Sequence, residues 1–182
     1  MPSLKVYFRL GILCFKKMFA KSGFYVRLSL IRKCMKGMVT KMSVTRHDIR
    51  ESEFIFIFEK TFRDESISEL IDLSWDNEAI TINDEVKETV EGVYNHLEEI
   101  DAVISKYSTK RSIERIPKIN LSALRLAVYE INYKSDKAPI RAVINEAVGL
   151  VKKYAQEQDV SFVNGVLGSY SRSLEADKKS DN

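Results

Sequence analysis

From Thr45 onward, apolar residues recur three and four positions apart, the repeat of a helix with one buried side, and no stretch alternates long enough to predict a strand. An all-α fold is expected. A first helix over residues 46–62 brings Phe54, Ile57, Phe58 and Thr61 to one face. Its run Phe54-Ile55-Phe56-Ile57-Phe58 would pass alone for a buried strand, but its length and charged flanks favour helix. Ser66 and Glu69 have the spacing of a capping box for a short helix ending near Trp75, and Thr81 and Asp84 repeat it for a long one ending near Tyr107. The long helix aligns Val86, Val90, Val93, Leu97, Ile100 and Ile104 in a stripe.

A polar break at residues 108–110 separates this half from a short helix over residues 112–116, which Pro117 stops. Asn120 is the expected N-cap for Leu121, Leu124, Val128 and Ile131, and Pro139 sits where a first-turn proline belongs. The cleanest apolar face follows: Ile140, Val143, Ile144, Ala147, Leu150, Val151 and Tyr154. Asp159 is the expected cap of a last helix that turns Val163, Val166, Leu167, Tyr170 and Leu174 inward, with a charged, disordered tail over residues 177–182. Glycine inside a helix costs about 1 kcal/mol relative to alanine, so Gly165 predicts close approach of another backbone. Two packed helical subdomains, about 42–108 and 109–176, are the simplest architecture.

The 182 residues are 45% apolar and 30% charged, the make-up of a soluble globular domain, and the net charge is +3. That net charge conceals an asymmetry. Residues 1–41 carry ten Lys or Arg and no Asp or Glu, leaving 19 basic and 26 acidic side chains, a net of −7, on the other 141. Nucleic-acid binding by the body must therefore be local. The longest uncharged run within residues 1–41 is six residues, too short to span a bilayer or to serve as a secretory signal. A transit peptide, a basic membrane-surface helix and an upstream extension from a misplaced start codon fit this segment, the last favoured, with Met35, Met38 and Met42 as alternative starts.

Catalytic chemistry has few tools here. Both cysteines, Cys14 and Cys34, lie in the basic extension, so the body has no thiol nucleophile or Cys/His zinc site, and its isolated glycines form no phosphate loop. No metal or cofactor is expected. Arg46, His47 and Arg50 make a small cationic end at a helix N-terminus, suited to phosphates, although an ordinary solvated helix start has the same composition. Phe162 opens the last helix and is either core or an exposed ring able to stack on an unpaired base. Arg125, Glu130 and Glu146 interrupt apolar faces and are expected to pair across helices.

These segments, in this order, resemble the NusB family of bacterial transcription antitermination factors. The resemblance covers residues 46–174 and is carried by residues 46–51, Ile113-Glu114-Arg115-Ile116, residues 124–130, Ile144-Asn145-Glu146-Ala147, Lys152-Lys153-Tyr154 and residues 162–167. It implies a NusB-like helical bundle, no enzymatic activity, and RNA binding with a partner, the small-subunit ribosomal protein NusE. The pair would bind boxA RNA and load an antitermination complex on RNA polymerase during ribosomal RNA transcription, in the cytoplasm, or in a plastid if residues 1–41 are a transit peptide. It further implies RNA contacts at Arg46, His47, Arg50 and Phe162, partner contacts at Phe58, Glu114 and Asn120, and a start at Met42. The sequence departs from the family pattern at Arg111, where many members have tryptophan, and at Asn120, where many have aspartate. Two other functions stay open: a protein-interaction bundle that homodimerises through its apolar faces, and an accessory RNA-binding subunit of an RNA-modifying enzyme.

Overall fold

The computed structural model describes residues 44–75, 77 and 79–180, so the basic extension over residues 1–41 lies outside the described residues. Among the described residues seven α-helices follow in order: α1 (Arg46–Lys60), α2 (Ile67–Leu73), α3 (Asp84–Asn95), α4 (Leu97–Tyr107), α5 (Lys118–Tyr133), α6 (Ile140–Tyr154) and α7 (Glu157–Ser180). A 3-10 turn, Ile113–Arg115, links α4 to α5. No strand occurs among the described residues, and none of the described helices is long and apolar enough to cross a membrane.

Burial explains the helical reading of the Phe54 to Phe58 run. α1 packs against α2, α3, α5 and α6, so it needs apolar groups on several sides: Phe56 and Ile57 are fully buried, Phe54 nearly so, and Phe58 half-buried. α5 is the axis of the bundle, touching α1, α3, α4, α6 and α7, and every residue from Asn120 to Tyr129 is buried. Against it lie the expected stripes of Val86, Val90, Val93, Ile100 and Ile104, of Val143, Ala147, Leu150 and Val151, and of Val163, Val166 and Leu167. α7 continues to Ser180, beyond Asp177, where composition predicts a frayed tail.

The capping box of α2 forms as expected: the Glu69 amide donates to Ser66 Oγ at 3.3 Å and the Ser66 amide to Glu69 Oε2 at 2.8 Å. Other expected helix starts are corrected. Asn83, not Thr81, caps α3, its Oδ1 accepting from the Val86 amide at 2.8 Å, while the Thr81 amide donates to Ser52 Oγ. The expected helix over residues 81–107 is two helices, broken at His96. α5 packs against the break: His96 stacks on Tyr133 with ring centroids 4.2 Å apart, and Tyr129 lies against Gly92. Pro139 stands just before α6 rather than inside its first turn, and Pro117 stands between the 3-10 turn and α5. α5 therefore begins before Asn120, and α7 before Asp159.

Gly92, not Gly165, is the glycine of close approach. A Cβ on Gly165 would meet open space, whereas one on Gly92 would collide with the hydroxyl oxygen and the ring of Tyr129. Gly92→Ala is expected to lower stability by about 2 kcal/mol, because the largely buried Tyr129 must move to admit a methyl group. Urea denaturation checks this, and an unchanged midpoint would show that the Tyr129 side chain relocates freely.

Candidate nucleic-acid interface

The three first-helix cations lie within the first one and a half turns of α1, and each meets a carboxylate from another helix. Arg46 Nη1 donates to Glu85 Oε1 of α3 at 2.6 Å. His47 Nδ1 is 2.9 Å from Glu146 Oε2 of α6, with Glu51 Oε2 at 3.9 Å from its other ring nitrogen. Arg50 Nε bonds both oxygens of Glu130 on α5, at 2.9 and 3.1 Å. Exposure divides the three: the Arg46 and His47 side chains are 65% and 47% exposed, Arg50 and Glu130 only 12% each. Arg46 and His47 face solvent. Arg50 is the interior half of a buried pair, and reaching a phosphate would strip Glu130 of its partner.

The expected cross-helix pairing of the polar residues in apolar faces is present. Glu130 holds Arg50, Glu146 holds His47, and Arg125 forms a two-pronged pair with Asp101 at 2.9 and 2.8 Å. Burial pushes the Glu130 carboxyl above the usual range even against Arg50. The Glu85 carboxyl lies below it: partial burial pushes upward, but Arg46, Lys137 and Lys134 outweigh that push.

Phe162 belongs to a second cluster, at the start of α7. Its ring is half-buried, and the Arg111 guanidinium carbon lies 4.8 Å from its centroid. Arg111 also reaches Asp159 at 3.4 Å, and Asn120 Nδ2 donates to the same Asp159 oxygen at 2.7 Å. The two side chains expected as separate caps therefore bond to each other. Arg111 covers the aromatic and neutralises the aspartate, which gives its departure from the family pattern a structural reason.

The three residues expected on the partner side differ in access. Phe58 is half-buried, stacked near Phe54 at 6.4 Å and edge-on to Phe62 at 5.1 Å; Phe62 is 63% exposed. Glu114 is exposed in the 3-10 turn, its carboxyl held below the usual range by its own backbone N–H and the Ser112 hydroxyl. Asn120 is fully buried, and its Nδ2 donates to Asp159 Oδ1 at the start of α7. Sequence reasoning missed Glu85, Lys137 and Phe62; Glu85 is 39 residues from Arg46, and no local pattern marks the pair.

Comparison with known proteins agrees with this architecture. The family model described as the NusB family matches residues 43–172. The transcription antitermination protein NusB of Ruminiclostridium cellulolyticum is 41% identical over 116 residues, spanning 63% of this chain and 77% of that protein. Its counterpart from Agathobacter rectalis is 37% identical over 132 residues, 70% of this chain and all of that one. Among solved structures, the crystal structure of antitermination factors NusB and NusE in complex with double-stranded RNA superposes with a TM-score of 0.61 at 34% identity, covering 70% of this chain and 96% of the other. NusB of T. maritima gives 0.62 at 30% identity, covering 72% and 93%.

Proposed function

Because the chain belongs to the NusB family of transcription antitermination factors, we propose that it is a non-catalytic RNA-binding adaptor that joins the ribosomal protein NusE on boxA RNA. In this reading the pair loads an antitermination complex on RNA polymerase during ribosomal RNA transcription. The observation that carries it is the exposure of Arg46 and His47 at the start of α1, a local cationic end on a body of net charge −7. A related NusB solved together with NusE and RNA supports the choice of ligand and partner. Arg46 and His47 hold phosphates, and Arg50 positions α1 through Glu130. The exposed part of the half-buried Phe162 ring receives a base, a contact worth about 1–3 kcal/mol where it forms. Phe58 and Glu114 face the protein partner.

The test is binding of the full chain to a boxA-type RNA and a scrambled control, single- and double-stranded, with and without NusE, at two salt concentrations. Sequence-preferring binding that tightens with NusE is expected. Arg46→Ala should weaken every RNA alike and lower the salt slope by about one, whereas Phe162→Ala should reduce the preference for the cognate sequence. Absence of any RNA preference with or without NusE would overturn the reading and leave a helical protein-interaction module.

A further inference from the structure

Beside the start of α1 lies a cavity of about 120 Å³ lined by four cations, Arg46, Arg50, Lys134 and Lys137, and three carboxylates, Glu53, Glu85 and Glu130. The carboxylates are not equivalent. Glu130 is matched by Arg50 inside the bundle, and Glu53 is buried against the Thr89 hydroxyl at 2.5 Å. Glu85 alone reaches the exposed cations at the rim: Arg46 Nη1 at 2.6 Å, from the start of α1, and Lys137 Nζ at 3.5 Å, from the turn before α6. Lys134 lies close enough to draw the Glu85 carboxyl down as well. One singly charged carboxylate thus occupies a clasp built from separate elements, whose cations would otherwise be free for another anion.

We propose that this clasp is a subsite for one backbone phosphate of the bound RNA and that Glu85 occupies it in the free protein, as an internal competitor that the phosphate displaces. The inference rests on the reading that RNA lies along α1, and adds Lys137 as a contact and Glu85 as the residue that restrains affinity. A phosphodiester carries the same single negative charge as Glu85 and likewise presents two anionic oxygens, set tetrahedrally, so that one can meet Arg46 and the other Lys137. The Glu85 side chain is one-quarter exposed, so it can turn into solvent without opening the core. Because the exchange replaces one anion by another, the chain gains less from its cations than their number suggests, and electrostatically indiscriminate binding is held down.

The experiment is titration of the full chain with a fluorescein-labelled twelve-nucleotide single-stranded RNA, with NusE present, at low and high salt. Glu85→Gln is expected to bind about fivefold tighter at low salt, with the advantage shrinking as salt screens the charge. Lys137→Ala, at an exposed position, is expected to bind about threefold weaker. Glu88→Gln removes an exposed charge from the same helix outside the clasp and should leave affinity within twofold of the parent. If the parent binds and Glu85→Gln is no tighter, if Glu88→Gln tightens as much, or if Lys137→Ala is unchanged, the subsite is wrong while the adaptor reading stands. If neither the parent nor Glu85→Gln binds RNA with NusE at low salt, the adaptor reading falls and the subsite with it.

Discussion

Arg50→Ala is expected to cost about 3 kcal/mol of folding stability, the loss that follows when one half of a buried ion pair is removed and the other stays behind. Arg50 Nε holds both oxygens of Glu130 and each side chain is 12% exposed. Without the guanidinium, Glu130 keeps only the more distant Lys134, and Glu146 opposes it. Its carboxyl, already raised by burial, must then rise further, so the loss should shrink as the pH falls from 8 toward the acid range. Urea denaturation of Arg50→Ala and of the double variant Arg50→Met with Glu130→Leu separates charge burial from packing. The double variant should recover most of the loss, because two apolar groups leave no uncompensated charge. In RNA titrations, Arg50→Ala should leave the salt slope unchanged, in contrast to Arg46→Ala. An equal fall in slope for both would mean that Arg50 leaves Glu130 for a phosphate when RNA binds.

The same pair shows where sequence reasoning reached and where it stopped. Helical periodicity located the core because burial repeats with the helix: Val86, Val90 and Val93, or Val143, Ala147 and Leu150, are read from spacing and found buried. The Ser66–Glu69 box was legible because both halves of the interaction lie within one turn. Polar side chains with distant partners were not. Asn120 and Asp159 each have the chemistry of an N-cap, but bond to each other across 39 residues, and a short polar side chain at a helix start serves either use. Gly165 and Gly92 look alike in sequence; only the position of Tyr129 separates them. The cationic end of α1 was visible as a cluster, yet the carboxylates that divide it into exposed Arg46 and His47 and enclosed Arg50 lie 39, 99 and 80 residues away. What such a surface offers a ligand is set by tertiary pairing, which no local pattern records.

Glu53 carries the other large effect, and its sign is unusual for a carboxylate. It sits on α1 at 3% exposure, and burial pushes its pKa from 4.5 up to about 7; the Thr89 hydroxyl bond and Lys134 pull it down, while Glu130 and Glu85 add to the rise. Lys134 Nζ donates to the same Thr89 hydroxyl at 2.6 Å, which holds the cation near without a direct bond to the carboxylate. Between pH 4.5 and about 7 the folded chain binds more protons at this site than the unfolded chain, so stability falls as pH rises through that window and then levels off. The full interval corresponds to about 3 kcal/mol. Buried Glu59 and Glu130 are raised too and act in the same direction. Glu69, Glu85 and Glu114 are lowered; their stabilisation is complete above the unfolded carboxylate range and is lost only in more acidic solution. Thermal melting from pH 5 to pH 8 should therefore show a falling Tm. Glu53→Gln keeps an acceptor for Thr89 but cannot ionise, so it should match the parent at pH 5 and exceed it at pH 8 by about 2–3 kcal/mol in urea denaturation. If the variant follows the parent at both pH values, Glu53 is ionised throughout and Lys134 compensates it fully, which would make the buried carboxylate and ammonium a true ion pair bridged by Thr89.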